Sequence, residues 1–167
     1  MNKHLNVALA LASILLPACS SAVKGAKTQS CPEPMAVSKA ILANASWQGG
    51  GAVLSSGDKL DIVSSGTWCV GPGLCSDSNG RTDLRTVGRT GYAYVEGDGF
   101  EGQLIGRIGN GSPFVVGNAV SIHVPSDQSG QLQFVINDDL AKKFGKGLED
   151  NTGTLSVTVT LTTAKKN

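Results

Sequence analysis

The segment GTLSVTVTLT, residues 153–162, has the clearest structural pattern in the sequence. Apolar and polar side chains alternate along it with a period of two residues. This period is typical of a β-strand with one face buried and the other exposed. The alternation therefore predicts a half-buried strand over residues 153–162.

Short apolar or alternating segments recur through the rest of the chain, separated by turn-forming clusters such as SSGD, GDG and GNGS. Helical spacing is weak throughout, and residues 38–44 come nearest to it. Many short strands with regular turn signals predict an all-β fold, a single jelly-roll-like β-sandwich over residues 35–167. The predicted strands are 51–54, 59–64, 67–70, 92–95, 103–108, 114–116, 119–124, 131–136 and 153–162.

The N-terminal sequence MNKHLNVALALASILLPACSS predicts an export signal over residues 1–18. Its apolar run, 5–16, is shorter than the roughly 20 residues that span a bilayer. The motif LPAC resembles the bacterial lipobox, which implies acylation of Cys19 (palmitate among the acyl groups) and a membrane anchor. An ordinary signal peptide is the alternative. Ser20 and Ser21 favour an outer-membrane lipoprotein, facing the periplasm or the cell surface, with residues 19–34 as a flexible tether.

Charge and motif content exclude several classes of function. Without Lys3 the chain carries 13 basic and 13 acidic residues, too little basic excess to predict a nucleic-acid partner. His123 is the only histidine after the signal, so no Ser-His-Asp or Cys-His set is evident. GDGFEG is followed by no helical pattern, so we interpret it as a turn rather than a dinucleotide-binding loop. We expect a protein that is not an enzyme; a glycoside hydrolase is the alternative that the 13 acidic residues leave open, but no carboxylate pair is marked out as catalytic.

The cysteines predict a cross-link in an exported protein. Cys69 and Cys75 bracket a Gly-Pro-Gly turn, and a disulfide between them is the favoured pairing. The rival pairing joins Cys31 to one of the two. If Cys19 is acylated, one of the remaining three cysteines has no partner.

Two acidic, amide-rich clusters lie at either end of one loop. Asn137-Asp138 follows a predicted strand, and Asp150-Asn151 precedes the last one. If the two strands bring these clusters together, they supply the carboxylate and amide oxygens that Ca²⁺ prefers. The spacing is not that of an EF-hand. The residues alone leave a calcium site and an ordinary polar loop equally open.

The stretch GQLIGRIGNGSPFVVGNAVSIHVPSDQSGQLQFVINDD…DNTGTLSVTV resembles the LecA-type (PA-IL-like) calcium-dependent galactophilic bacterial lectins. The resemblance rests on a basic residue before Ile-Gly-Asn, a strand ending in Asn-Asp, and an amide-rich pair before the last strand. GTWCVGP matches the upstream segment that closes with Gly-Pro. These matches cover roughly residues 47–161.

The resemblance implies a galactose-binding-domain-like β-sandwich, and a Ca²⁺ ion that binds the vicinal hydroxyls of a sugar directly. Asp138, Asp150 and Asn151 would bind both the metal and the carbohydrate. Backbone carbonyls of Val70 and Gly147 would complete the metal site, although the loop near Gly147 is longer than in the family.

The upstream loop departs from the family, because GLCSDSNGRTDLRT contains neither the His nor the Gln that hold the sugar. Asn79 and Arg81 are the candidate substitutes. A galactose-like sugar is therefore one candidate ligand rather than an assigned one, and an oligomer is left open. The alternative function is a structural or protein-interaction β-sandwich lipoprotein that binds no sugar.

Overall fold

The alternating C-terminal segment lies inside one of two β-sheets. The computed structural model describes residues 33–164, which form ten strands and one short 3-10 turn, Gly147–Asp150. The strands are β1 (Met35–Leu42), β2 (Gln48–Leu54), β3 (Lys59–Cys69), β4 (Cys75–Ser76), β5 (Asn79–Arg85), β6 (Phe100–Ile108), β7 (Phe114–Val115), β8 (Ala119–His123), β9 (Gly130–Ile136) and β10 (Thr152–Thr162).

The first sheet has the order β1-β10-β3, and β4 and β8 both pair with the far side of β3. β10 and β3 are antiparallel over their whole length, from Thr152 opposite Cys69 to Thr162 opposite Lys59. The start of β10 therefore lies beside the end of β3. This register brings the residues that precede β10 next to those that follow β3.

The second sheet has the order β2-β9-β6, and β5 and β7 both pair with β6. Its pairs are also antiparallel. The confirmed fold is thus an all-β sandwich of two five-stranded antiparallel sheets.

The core forms where the two sheets face each other. β10 contributes every second residue to it, in agreement with its sequence pattern: Leu155, Val157, Val159 and Leu161. Trp68 and Phe134 are fully buried, each removing enough apolar surface from water to stabilise the fold by about 2–3 kcal/mol. The Trp68 indole N–H donates a 2.7 Å hydrogen bond to the carbonyl of Gly102, which satisfies the polar atom of this buried side chain.

Two strand predictions were wrong, and β1 was not predicted. β1 covers most of residues 38–44, the segment nearest to helical spacing, and only Ile41 of β1 is fully buried. Residues 92–95 form no strand; Tyr92 makes only isolated bridges, to Thr90 and Asp139. The predicted break between 59–64 and 67–70 is absent, because Gly66 continues the ladder at a positive φ of 112°.

Other predictions fall beyond the described part of the chain. The export signal, the acylated Cys19 and most of the tether lie outside residues 33–164. Within that range, no helix has the length and apolar character needed to cross a membrane.

Candidate functional site

A pocket of about 140 Å³ lies at the end of the sandwich where β3 and β9 end and β10 begins. Its lining comes from four segments that are distant in sequence: Val70, Tyr92, Glu101, Asp138, Asp139, Phe144, Gly145, Lys146, Gly147 and Asp150. Four of these side chains are carboxylates and one is a lysine. The pocket is therefore acidic.

Asp138 lines the pocket, Asn151 adjoins it, and both side chains are buried. Asp138 is 5% exposed and Asn151 is 3% exposed. The Asn151 amide donates hydrogen bonds to Asp138 Oδ2, at 2.8 Å, and to the carbonyl of Ala43, at 3.2 Å. Asp138 Oδ1 accepts a 2.7 Å bond from the backbone N–H of Asp139. The Asp138 carboxylate is thus held in one orientation by donors on both of its oxygens.

Burial raises the pKa of Asp138 to about 6, since the charged form loses contact with water. The neighbouring carboxylates of Glu101 and Asp139 raise the pKa further, while the bonds from the Asp139 N–H and Asn151 lower it. A buried carboxylate surrounded by like charge is poorly stabilised without a cation.

Asp139 organises the loop that follows β9. Its Oδ2 accepts a hydrogen bond from the backbone N–H of Phe144, and its carbonyl accepts one from Lys142 at 3.2 Å. Burial raises the pKa of the Asp139 carboxyl, but several loop N–H groups outweigh it and lower the pKa below its ordinary value. Gly147 packs tightly here, because an added Cβ would lie 2.6 Å from the Asp139 carbonyl oxygen.

Tyr92, Glu101 and Arg81 form a hydrogen-bonded chain along one wall of the pocket. The Tyr92 hydroxyl donates to Glu101 Oε1 at 2.8 Å, and Arg81 Nη1 lies 3.4 Å from Glu101 Oε2. Burial raises the pKa of Tyr92, and the hydrogen bond to Glu101 raises it further. The wall is therefore polar and has defined donors and acceptors.

The structure brings most of the sequence-predicted residues together. Asp138, Asp150, Val70 and Gly147 line the pocket. Asn151 adjoins it through Asp138.

The two predicted sugar-binding residues of β5, Asn79 and Arg81, do not line the pocket themselves. Arg81 reaches the pocket only through Glu101. Among the described residues, Asn79 is not part of the pocket lining. Its side-chain oxygen accepts a 3.1 Å bond from the backbone N–H of Asn118, and its amide points to Asp77. Asn79 therefore connects β5 to the start of β8.

Asn137 has a different role from its neighbour Asp138. Its amide donates to the carbonyls of Tyr94 and Phe100, both at 3.0 Å, and its oxygen accepts from the Tyr94 N–H at 2.9 Å. The fully buried side chain thus fixes the loop between β5 and β6. Its oxygen is therefore already engaged within the fold.

The predicted disulfide is confirmed. Cys69 and Cys75 are directly opposite each other in the β3–β4 pair and are bonded. The Val70 N–H donates to the carbonyl of Leu74 at 3.0 Å within the closed loop. The cross-link therefore constrains the backbone where Val70 reaches the pocket.

The donor set fits a hard cation better than a soft one. Within residues 33–164, no three His, Cys, Asp or Glu side chains are grouped closely enough to hold a metal by themselves. Asn151 Oδ1 and Asp139 Oδ1, however, are buried and have no hydrogen-bond donor among the described residues. Unpaired buried oxygens are costly, and carboxylate, amide and backbone oxygens together are the ligand types of Ca²⁺.

Sequence reasoning missed Tyr92, Glu101 and Phe144 as pocket residues. Tyr92 lies in a segment predicted as a strand, and Glu101 belongs to the motif interpreted as a turn. The spacing of these residues along the chain does not predict that they share a pocket. They are brought together by the tertiary structure, which includes the pairing of β6 with β9.

Comparison with known proteins supports the fold. No protein-family model matches the sequence, and no curated protein is significantly similar to it. Among solved structures, the chain is similar to the EclA N-terminal domain, a PllA-like lectin, with 26% sequence identity and a TM-score of 0.54. The similarity covers 74% of this chain and 94% of that chain. This protein therefore has a lectin-like β-sandwich fold.

Proposed function

We propose that this protein is a carbohydrate-binding module of the LecA type that depends on calcium. The observation that carries the proposal is the buried pair Asp138–Asn151, in which Asn151 Oδ1 has no donor among residues 33–164 and lies beside an acidic pocket. The similarity to a PllA-like lectin supports the carbohydrate class, since that protein is described as a lectin.

In this proposal Ca²⁺ is bound by Asp138, Asp150, Asn151 and backbone carbonyls of Val70 and Gly147. The loop closed by the Cys69–Cys75 disulfide supports this assignment, because it fixes the chain at Val70. The Asp150 carboxylate lies near Gly71 of the same loop, 3.8 Å from where an added Cβ would be. Carboxylates on two sides of the pocket can then balance the charge of one divalent ion.

The sugar would bind through a vicinal diol that completes the coordination of the ion. Glu101 is an additional acceptor in the pocket wall, and Arg81 and Tyr92 already hold its carboxylate in place. A galactose-like sugar remains the family-based candidate. No enzymatic role is proposed, and the similar solved structure is a lectin domain.

A glycan array tests the proposal directly. The mature domain should bind a subset of immobilised glycans in millimolar Ca²⁺ and lose this binding in EDTA. Asp138→Ala should lose binding in both conditions. If the wild-type protein binds no glycan with calcium present, the alternative of a structural or protein-interaction β-sandwich replaces the proposal.

We also propose that the domain is anchored to the outer membrane through acylated Cys19. The LPAC motif and the short apolar run support this anchor. Cys19→Ala should abolish metabolic acyl labelling and release the protein into the soluble fraction. Unchanged labelling in the variant would contradict the anchor.

A further inference from the structure

Phe144 is an exposed aromatic ring at the rim of an otherwise polar pocket. Its side chain is 59% exposed although its neighbours Lys142, Lys143 and Lys146 make the loop strongly polar. The ring lies 6.2 Å from that of Tyr92, at a tilt of 47°. Phe144 therefore packs against Tyr92 on one side, and most of its ring faces solvent beside the pocket.

The loop that carries Phe144 is fixed at several points. The Phe144 N–H donates to the buried Asp139 carboxylate. Lys142 pairs with Glu149, and Lys143 Nζ donates to Thr90 Oγ1 at 3.1 Å. Because Phe144 and the two residues before it are bonded to Asp139, Glu149 and Thr90, the backbone at Phe144 is already ordered. Contact with a ligand therefore costs little additional backbone entropy.

We infer that Phe144 is an affinity-determining contact that packs against the apolar face of a pyranose held at the pocket. This inference rests on the proposed function. A pyranose whose C–H bonds share one face presents partially positive hydrogens, and the face of an aromatic ring is negative. The contact also removes exposed phenyl surface from water. Phe144 therefore adds an apolar surface at the rim, beside the polar wall of Tyr92 and Glu101.

The test compares three variants on the same glycan array in millimolar Ca²⁺. Phe144→Ala should lower apparent affinity about three- to tenfold, which is the range expected for one aromatic contact. Phe144→Trp should retain wild-type affinity or exceed it. Val53→Ala is the matched control, because Val53 is 76% exposed on β2 and lies outside the pocket lining among the described residues. It should bind as the wild type does.

A thermal scan of each variant with and without Ca²⁺ separates a local effect from misfolding. Phe144→Ala should keep the wild-type melting temperature and calcium response while losing glycan affinity. Wild-type affinity in Phe144→Ala overturns this inference and leaves the proposed function intact. A wild-type protein that binds no glycan overturns both. Equal losses in Phe144→Ala and Phe144→Trp also overturn it, since they show a requirement for shape rather than for an aromatic face.

Discussion

The Asn151 side-chain amide donates a 2.8 Å hydrogen bond to Asp138 Oδ2 and so joins the end of β9 to the start of β10. The two strands belong to different sheets. Because both side chains are buried, this bond fixes two oxygen-bearing groups where the sheets meet. A cation at this point would satisfy buried oxygens that have no donor within the described part of the chain.

Calcium should stabilise the wild-type protein through Asp138. A ligand that binds only the native state adds about 2.7 kcal/mol at a hundredfold excess over its Kd, which corresponds to a rise in Tm on the order of 5–10 °C. Asp138→Ala should remove this rise. Differential scanning calorimetry in millimolar Ca²⁺ and in EDTA measures the effect.

Asp127→Ala is the matched control for that experiment. Asp127 is exposed in the turn between β8 and β9, so its removal deletes the same charge away from the pocket. The control should keep the full calcium response. A wild-type Tm that does not change with calcium would contradict the metal site.

Without calcium, stability should depend on pH through Asp138. Its pKa is about 6 in the folded protein against an ordinary value of 3.8, so the folded state binds the proton more tightly than the unfolded state. The free energy of unfolding should therefore fall as pH rises from about 4 to about 6. Urea unfolding at a series of pH values in calcium-free buffer measures this slope.

Asp138→Asn should lack that fall, because the amide does not titrate. Asp139 affects the pH dependence of the unfolding free energy in the opposite direction, because its pKa is lowered in the folded protein. Its ionised carboxylate stabilises the fold, and this stabilisation is lost as the pH falls. Identical slopes between pH 4 and 6 in the wild type and Asp138→Asn would show that another group titrates there.

Removing the disulfide should weaken both the fold and the calcium response. Cys69 and Cys75 are separated by 6 positions, and closing so short a loop stabilises a protein by about 2–3 kcal/mol. The Cys69→Ser/Cys75→Ser double variant should lose this amount in urea unfolding. It should also need more Ca²⁺ for half of the Tm shift, because Val70 is no longer held. If the double variant and the wild type give the same calcium titration, the disulfide does not affect the metal site.

Asn137→Ala should destabilise the fold by the same amount with and without calcium. The change removes the amide donor from the partly buried carbonyls of Tyr94 and Phe100, of which Tyr94 keeps the Thr86 hydroxyl as a donor, at a cost of about 2 kcal/mol. Urea unfolding with and without Ca²⁺ should give the same loss. A loss that appears only with calcium present would instead make Asn137 a metal ligand.

The sequence predicted the strands whose one face is buried, because burial imposes an alternation that local composition records. β10 and the first half of β3 are the clearest cases. The sequence pattern predicted neither β5 nor β1. Both strands lie at sheet edges and bury few side chains, so their alternation is weak.

The sequence by itself also determined the acidic clusters, and it favoured the Cys69–Cys75 disulfide over a pairing with Cys31, since both features depend on residue types a few positions apart. The structure decided the disulfide. Only the tertiary structure decided which side chains share the pocket. It turned the Asn137 amide toward the β5–β6 loop and Asp138 toward Asn151, and it brought Tyr92 and Glu101 to the same wall. The physical reason is that these contacts join segments far apart in the chain, and their geometry is set by the pairing of β6 with β9 and of β3 with β10.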